Sequence, residues 1–401
     1  MSPSKIQRCL GFYNHKIKDM RIENGAIIIE FHRTPKEKLR CSRCNGTEVR
    51  LYGKTDRVVR ELSITHRVVF LHVPQNKIEC PNCGVHAERM CFADRYARHT
   101  RRFERFVYCL CRMMTITDVA KALELSWDEV RHIDQKYLAR KYRILPWKNV
   151  RMLGVDELAV ARGHTYITVV VNLETGNVIY VGKNRTQATL ERFFTQFGPV
   201  RCRRIKAIAM DMWKAYSAAV QAYLPKAKIV YDQFHLIAEY GKTLDAIRST
   251  EYKNASEEDR QIIKGSRYLL LKTKDKLPDD QRLHLATILN INYNLNLAYI
   301  LKDDFRQLWK CPNRKEARNH LNTWIKKARD SKIPKLIQFA KKLSRHTDGI
   351  LNYFNVSITT ALVEGINNKI KVLKRKMYGF RNIFYFALKI YDLHNLSPGF
   401  L

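Results

Sequence analysis

The residue best placed to do chemistry is Glu364, a single carboxylate in the basic stretch TTALVEGINNKIKVLKRKMYGFRN that spans residues 359–382. Leu362, Ile366, Ile370, Leu373 and Met377 recur there at steps of four, four, three and four, the spacing of one apolar helix stripe. Glu364 faces away from that stripe, with Asn367, Asn368, Lys371 and Arg375 three, four, seven and eleven residues further on. An acid among amides and cations suits a metal ion held beside a phosphate backbone, with Lys371, Arg375 and Arg381 gripping the nucleic acid. The same face also fits a solvated helix surface with an ion pair, so acids elsewhere in the chain must decide.

Two such acids lie where strands are expected. Residues 150–160, VRMLGVDELAV, alternate as a strand should and carry Asp156; Glu157 beside it points to the other sheet face. HTYITVVVNL and NVIYVGK follow, joined through hairpin chemistry at residues 174–177. A helix over residues 188–197 precedes the strand RIKAIAMD, which ends in Asp211; a helix from Trp213, the strand KIVYD ending in Asp232 and a helix from Phe234 complete the segment. This order matches an α/β fold of the RNase H-like type, a mixed sheet with helices on its faces. Asp232 and His235 are placed either to support a metal ligand from behind or to cap and orient their helix.

Toward the amino terminus, Cys41-Ser-Arg-Cys44 and Cys80-Pro-Asn-Cys83-Gly84 are two CxxC turns flanking strand-rich sequence. Four thiolates brought together this way bind one tetrahedral zinc, a structural site because four sulfurs leave no open position. A rival pairing through Cys91 or a histidine stays open, and Cys9, Cys109, Cys111, Cys202 and Cys311 read as ordinary thiols. The pattern then becomes helical. Ser126 with Glu129 three residues later is a capping box that opens a helix bearing Arg131, His132, Gln135 and Lys136. With the short helix at residues 117–124 before it, this is a helix-turn-helix layout for DNA binding, and an ordinary helical hairpin is the alternative.

The 401 residues carry 73 Lys+Arg against 38 Asp+Glu, a net charge of +35 that attracts polyanions, nucleic acid before anionic membrane. No apolar run is long enough to span a bilayer and no signal sequence opens the chain, so a cytoplasmic, nucleoid-associated protein is expected.

The CxxC pairs, the helix-turn-helix, GVDELAV, AIAMDMWKAY, YDQFHLIAEYGKTLDAIR and ALVEGINNKIKVLKRKMYGFRN together resemble a bacterial DDE transposase of the ISL-three insertion-sequence family. The resemblance implies that Asp156, Asp211 and Glu364 are the catalytic acids, holding two magnesium or manganese ions, and that Lys371 is the basic residue that follows the glutamate. It also implies binding to terminal inverted repeats, strand cleavage and strand transfer. An all-helical insertion is implied between the last strand and the glutamate helix. Trp309 and Trp324 within it read as core residues before base-stacking ones. The expected organisation is a zinc ribbon (1–92), a helix-turn-helix domain (93–148), a catalytic domain in two parts (149–248 and 356–401) and the insertion (249–355). A dimer or larger assembly on DNA is expected, since two ends must be held. A related nuclease and a zinc-dependent DNA-binding regulator are the alternative functions.

Overall fold

Strand alternation opens the chain. In the computed structural model, which describes residues 12, 15–34, 38–161, 165–356, 361–377 and 382–394, β1 (His15–Glu23) and β2 (Ala26–Arg33) form a hairpin. Asn24 and Gly25 turn it at φ of 49° and 80°, the paired positive values that a two-residue hairpin requires. A longer hairpin, β3 (Arg50–Ile64) and β4 (Arg67–Cys80), joins the same sheet through β4, which runs parallel to β2, and β5 (Gly84–Ala87) pairs with β4. Val59, Val69, Leu71 and Val73 bury one face of it against Ile29, Phe31, Met90 and Phe92.

Helices α1 (Arg101–Met113), α2 (Ile116–Leu123) and α3 (Trp127–Lys141) follow, capped by Thr100, Thr115 and Ser126. The expected capping box is present: the Ser126 hydroxyl accepts from the Glu129 amide at 3.2 Å, and Glu129 accepts from the Ser126 amide at 3.1 Å. Phe103, Val107, Val119, Val130 and Ile133 make the core between these helices. The chain divides into two compact units, one reaching Arg143 and one running from Ile144 to His394, so the cysteine turns and the three helices share a unit.

The second unit is built on β6 (Met152–Ala161), β7 (Thr165–Asn172) and β8 (Val178–Lys183), then α4 (Gln187–Phe197), α5 (Pro199–Cys202), β9 (Ala207–Met210), α6 (Lys214–Tyr223), β10 (Lys228–Tyr231) and α7 (Gln233–Asn254). The sheet order is β10-β9-β6-β7-β8, with β6, β7 and β8 antiparallel and β9 and β10 parallel to β6. The elements expected from sequence thus appear in the expected order. Residues of β6 alternate between two cores: Leu153 and Val155 pack with Phe193, Phe194 and Tyr216, whereas Leu158 and Val160 face Ile366, Ile370, Phe386 and Ile390.

Residues 249–355 contain helix and short 3-10 turns and no strand. They begin within α7 and continue through α8 (Glu257–Ile263), α9 (Arg267–Leu271), α10 (Asp279–Ile291), α11 (Tyr293–Gln307), α12 (Arg314–Asp330), α13 (Pro334–Arg345) and α14 (Thr347–Leu351). Trp324 is fully buried among Tyr240, Phe305 and Phe339, its indole N–H donating to the Leu301 carbonyl at 2.8 Å, and Trp309 packs on Phe305. Trp324 is a core residue, and Trp309 is partly buried against that core.

The unit closes with α15 (Ala361–Lys376) and α16 (Ile383–Tyr391). The apolar stripe of α15 differs from the sequence expectation by one residue. Leu362 is 37% exposed, and Val363 takes its place ahead of Ile366, Ile370, Leu373 and Met377. The steps become three, four, three and four, a straighter seam against β6.

Candidate active site

Gly154 sets how closely α15 approaches β6. A β-carbon there would lie 2.6 Å from Val363 Cγ2 and 2.8 Å from Leu173 Cδ2, so only glycine admits the helix at this distance. Two residues along the same strand face is Asp156, and one residue along the helix is Glu364. The close packing therefore brings to one cleft two acids far apart in sequence. Asn367, one turn beyond Glu364, is buried and donates its amide to Asp156 Oδ2, while Asp156 Oδ1 accepts from the Glu157 amide at 2.7 Å.

Asp211 and Asp232 follow the carboxyl ends of the adjacent parallel strands β9 and β10. Asp232 caps α7 by accepting from the Phe234 amide at 2.7 Å. His235 Nδ1 lies 2.6 Å from Asp211 Oδ1 and 2.9 Å from Asp232 Oδ2, so the histidine clamps the two acids together. Ligand atoms of Asp156, Asp211 and His235 all lie within 4.8 Å of one another. Glu364 lies outside that tight group and lines the same cleft, about 740 Å³, together with Lys371, Lys374 and Arg375. Arg381 lies outside the described residues. Glu157, on the other strand face, pairs with Arg185 at 3.3 Å.

The electrostatics are those of an acid cluster held partly out of water. Burial pushes the Asp156 carboxyl up to about 6; the Glu157 amide opposes this, the Asp211 charge adds to it, and His235 and Asn367 offset part. Burial works against a charged His235, but hydrogen bonds to Asp211 and then Asp232 prevail and push it up to about 10. The imidazolium thus supplies one positive charge beside the acids. The amide oxygen of Asn367 is buried without a hydrogen-bond partner among the described residues. Oxygen donors, a carboxyl that burial makes hard to ionise and an orphaned amide oxygen beside it together fit a hard divalent cation.

In the amino-terminal unit, the sulfurs of Cys41, Cys44, Cys80 and Cys83 lie within 4.8 Å of one another, with Cys44 and Cys80 3.6 Å apart. A tetrahedron with metal–sulfur bonds of about 2.3 Å has sulfurs about 3.8 Å apart, whereas a disulfide needs about 2.0 Å. The thiols resist ionising together: burial and then the Cys44, Cys41 and Cys80 side chains push Cys83 up to about 12. At Cys41 burial is outweighed by the amides of Cys44 and Arg43, which bring it down to about 7. On α3, His132 is exposed and Arg131 pairs with Asp128 at 3.3 Å. Gln135 is half-buried. Lys136 turns inward, donating to Glu104 at 2.8 Å and lying 2.8 Å from Asp94.

Residues 153–390 match a family model described as a transposase, and residues 88–138 match the helix-turn-helix domain of transposase family ISL3. The chain is 38% identical over 355 residues to the transposase for insertion sequence element IS1001 of Bordetella parapertussis, across 87% of each chain. The chain belongs to transposase family ISL3. It is also 29% identical over 398 residues to the transposase for insertion sequence element IS1557 of Mycobacterium tuberculosis strain H37Rv, covering 91% of this chain and 89% of the relative. Membership makes it a DDE transposase, a DNA-cleaving and strand-joining enzyme with a helix-turn-helix DNA-binding domain.

Read from sequence, Asn367 is only a neighbour of Glu364 on the outward helix face; in the structure of this ISL3 transposase it is buried against Asp156. It sits three residues after Glu364 and is the residue through which α15 touches Asp156. Replacing it with alanine removes the donor that orients the carboxylate. Asn367→Ala is expected to lower DNA-end cleavage about 10- to 100-fold with end binding unchanged, measured by single-turnover cleavage and gel shift on the same duplex.

Proposed function

We propose that Asp156, Asp211 and Glu364 are the catalytic carboxylates of an RNase H-like domain and hold two magnesium or manganese ions. The observation that carries this reading is the cleft that Asp156 and Glu364 both line, with Asp211 tied to it through His235. The strand order, three antiparallel strands followed by two parallel ones with β6 at the centre, supports the fold assignment. When bound, the ions activate the attacking oxygen and stabilise the leaving oxygen at phosphorus.

The chain's own groups do the rest. Lys371 and Arg375, exposed on α15 and lining the cleft, hold the phosphates on either side of the scissile one. His235 fixes Asp211, and Asn367 fixes Asp156. Water attacks the scissile phosphorus and the P–O3′ bond breaks, leaving a 3′ hydroxyl. That hydroxyl, held where the water was, then attacks a phosphodiester of target DNA and displaces a 3′ oxygen, so one site serves both steps. Terminal inverted repeats are selected by the amino-terminal unit, in which the four cysteines hold one structural zinc and α3 presents Arg131, His132 and Gln135 to base edges. Lys136 serves there by anchoring the helix to Asp94 and Glu104. Two ends must be held at once, so the working form is a dimer or larger assembly on DNA in the bacterial cytoplasm.

Supplying a pre-cut duplex of the element end with a free 3′ hydroxyl, plus a supercoiled target and magnesium, tests the reading. Covalent joining of the labelled strand to target is expected. Cleavage of an uncut end in a parallel reaction, without any joined product from the pre-cut one, would make the site that of a nuclease, and tight binding without either product would leave only a regulator.

A further inference from the structure

The loop before α1 carries a strained residue with no place in the core. Tyr96 adopts φ +58°, a conformation that bulky side chains rarely take, and is 67% exposed. The surroundings hold it there. Arg57 donates to the carbonyls of Asp94, at 3.2 Å, and Ala97; the Ala97 amide closes on the Asp94 carbonyl at 3.1 Å; and the Arg60 amide donates to Arg98 O at 2.9 Å. The Asp94 carboxylate accepts from Arg101 at 2.7 Å and from Arg140 at 2.6 Å, and Lys136 lies 2.8 Å away. Unfavourable backbone that is clamped from several sides is a mark of ligand-binding loops.

What the loop displays is basic and aromatic. The Arg95 guanidinium lies 4.7 Å from the centre of the Tyr96 ring and donates to the Tyr96 hydroxyl at 3.1 Å, so cation and ring project as one rigid piece, and Arg98 beside them is exposed. The loop lines one side of a groove of about 920 Å³, and the amino-terminal half of α3, with Asp128, Arg131 and His132, lines another. Lys136 and Arg140 of α3 both end on Asp94, so the spacing between loop and helix is held by one half-buried and one more exposed ion pair.

We propose that Arg95, Tyr96 and Arg98 form a second DNA-contacting element that grips the sugar–phosphate backbone of the duplex alongside the base edges read by α3. The proposal rests on the reading of α3 as the recognition helix. The ligand is double-stranded DNA, reached by two arginines and a phenol hydroxyl, the groups that contact phosphate oxygens. Strain at Tyr96 is the cost of pointing the ring outward, and the Asp94 cluster keeps the backbone grip in register with α3.

Glycine relaxes a positive φ, so Tyr96→Gly removes the ring without straining the fold. The full-length protein, its Tyr96→Gly, Arg98→Gln and Arg131→Ala variants, and a fluorescein-labelled duplex of the inverted repeat flanking the gene would be used in anisotropy titrations over a range of salt. Tyr96→Gly is expected to melt no lower than the parent yet bind roughly tenfold more weakly, and Arg98→Gln is expected to reduce the salt slope by about one. Parental affinity and slope in both loop variants, with Arg131→Ala weakened, would overturn the loop and leave α3 standing. Parental binding by all three would remove α3 from the role, and the loop with it.

Discussion

Serine in place of Cys80 is expected to release the zinc, melt the amino-terminal unit and abolish binding of element-end DNA. Cys80 is buried at the end of β4 beside Ile78 and Cys41, and its sulfur is 3.6 Å from that of Cys44. Structural zinc in small domains contributes on the order of 10 kcal/mol or more of folding free energy, and the core under this site is small, with Cys41, Ile78 and Cys80 buried and Leu39, Val49 and Cys83 partly so. Metal content, near-ultraviolet dichroism and duplex anisotropy on one preparation would check this. A Cys80→Ser protein with full zinc and the parental melting curve would show that the four sulfurs do not hold the metal.

Asparagine in place of Asp156 is expected to remove cleavage, on the order of 10⁴-fold, while end binding stays within about twofold. The side chain keeps its shape, loses its charge and exchanges one acceptor oxygen for an N–H donor, which Asn367 can meet by turning its unpartnered amide oxygen toward it. In the metal-free protein the variant should also be the more stable one above neutral pH. Asp156 is held at about 6 by burial, above its ordinary value of 3.8. Whatever stability it contributes is present at low pH and is lost as the pH rises through about 6, because the charged form is the one that burial disfavours. An amide carries no such charge. Loss of activity with a raised melting temperature at pH 8 is the expected pair of results; undiminished cleavage would take Asp156 out of catalysis.

Local signals in the sequence were legible where chemistry and secondary structure coincide. Ser126 and Glu129 announce α3 because the capping box is satisfied within four residues, and the glycine and asparagine of the 174–177 turn sit between two clear strands. Asp211 and Asp232 could be placed because each ends an apolar run that becomes a buried parallel strand. What depends on a second element could not be read this way. Asn367 looks like a surface amide on its own helix, and only the approach of α15 at Gly154 buries it against Asp156. Leu362 and Val363 are interchangeable by spacing until the seam on β6 selects the valine. Lys136 lies on the exposed half of α3 by periodicity, yet Glu104 of α1 and Asp94 of the preceding loop draw it inward. His235 beside Asp211 is legible only from the neighbouring strand ends.

Iron-directed cleavage of the polypeptide tests the central claim most directly, since ferrous iron and ascorbate in place of magnesium cut the backbone only close to the bound ion. Cuts near Asp156, Asp211 and Glu364 that vanish in Asp156→Asn are the expected result. Cuts in the second unit that fall elsewhere, or that persist unchanged in that variant, would contradict the assignment of these three acids as the metal-holding site.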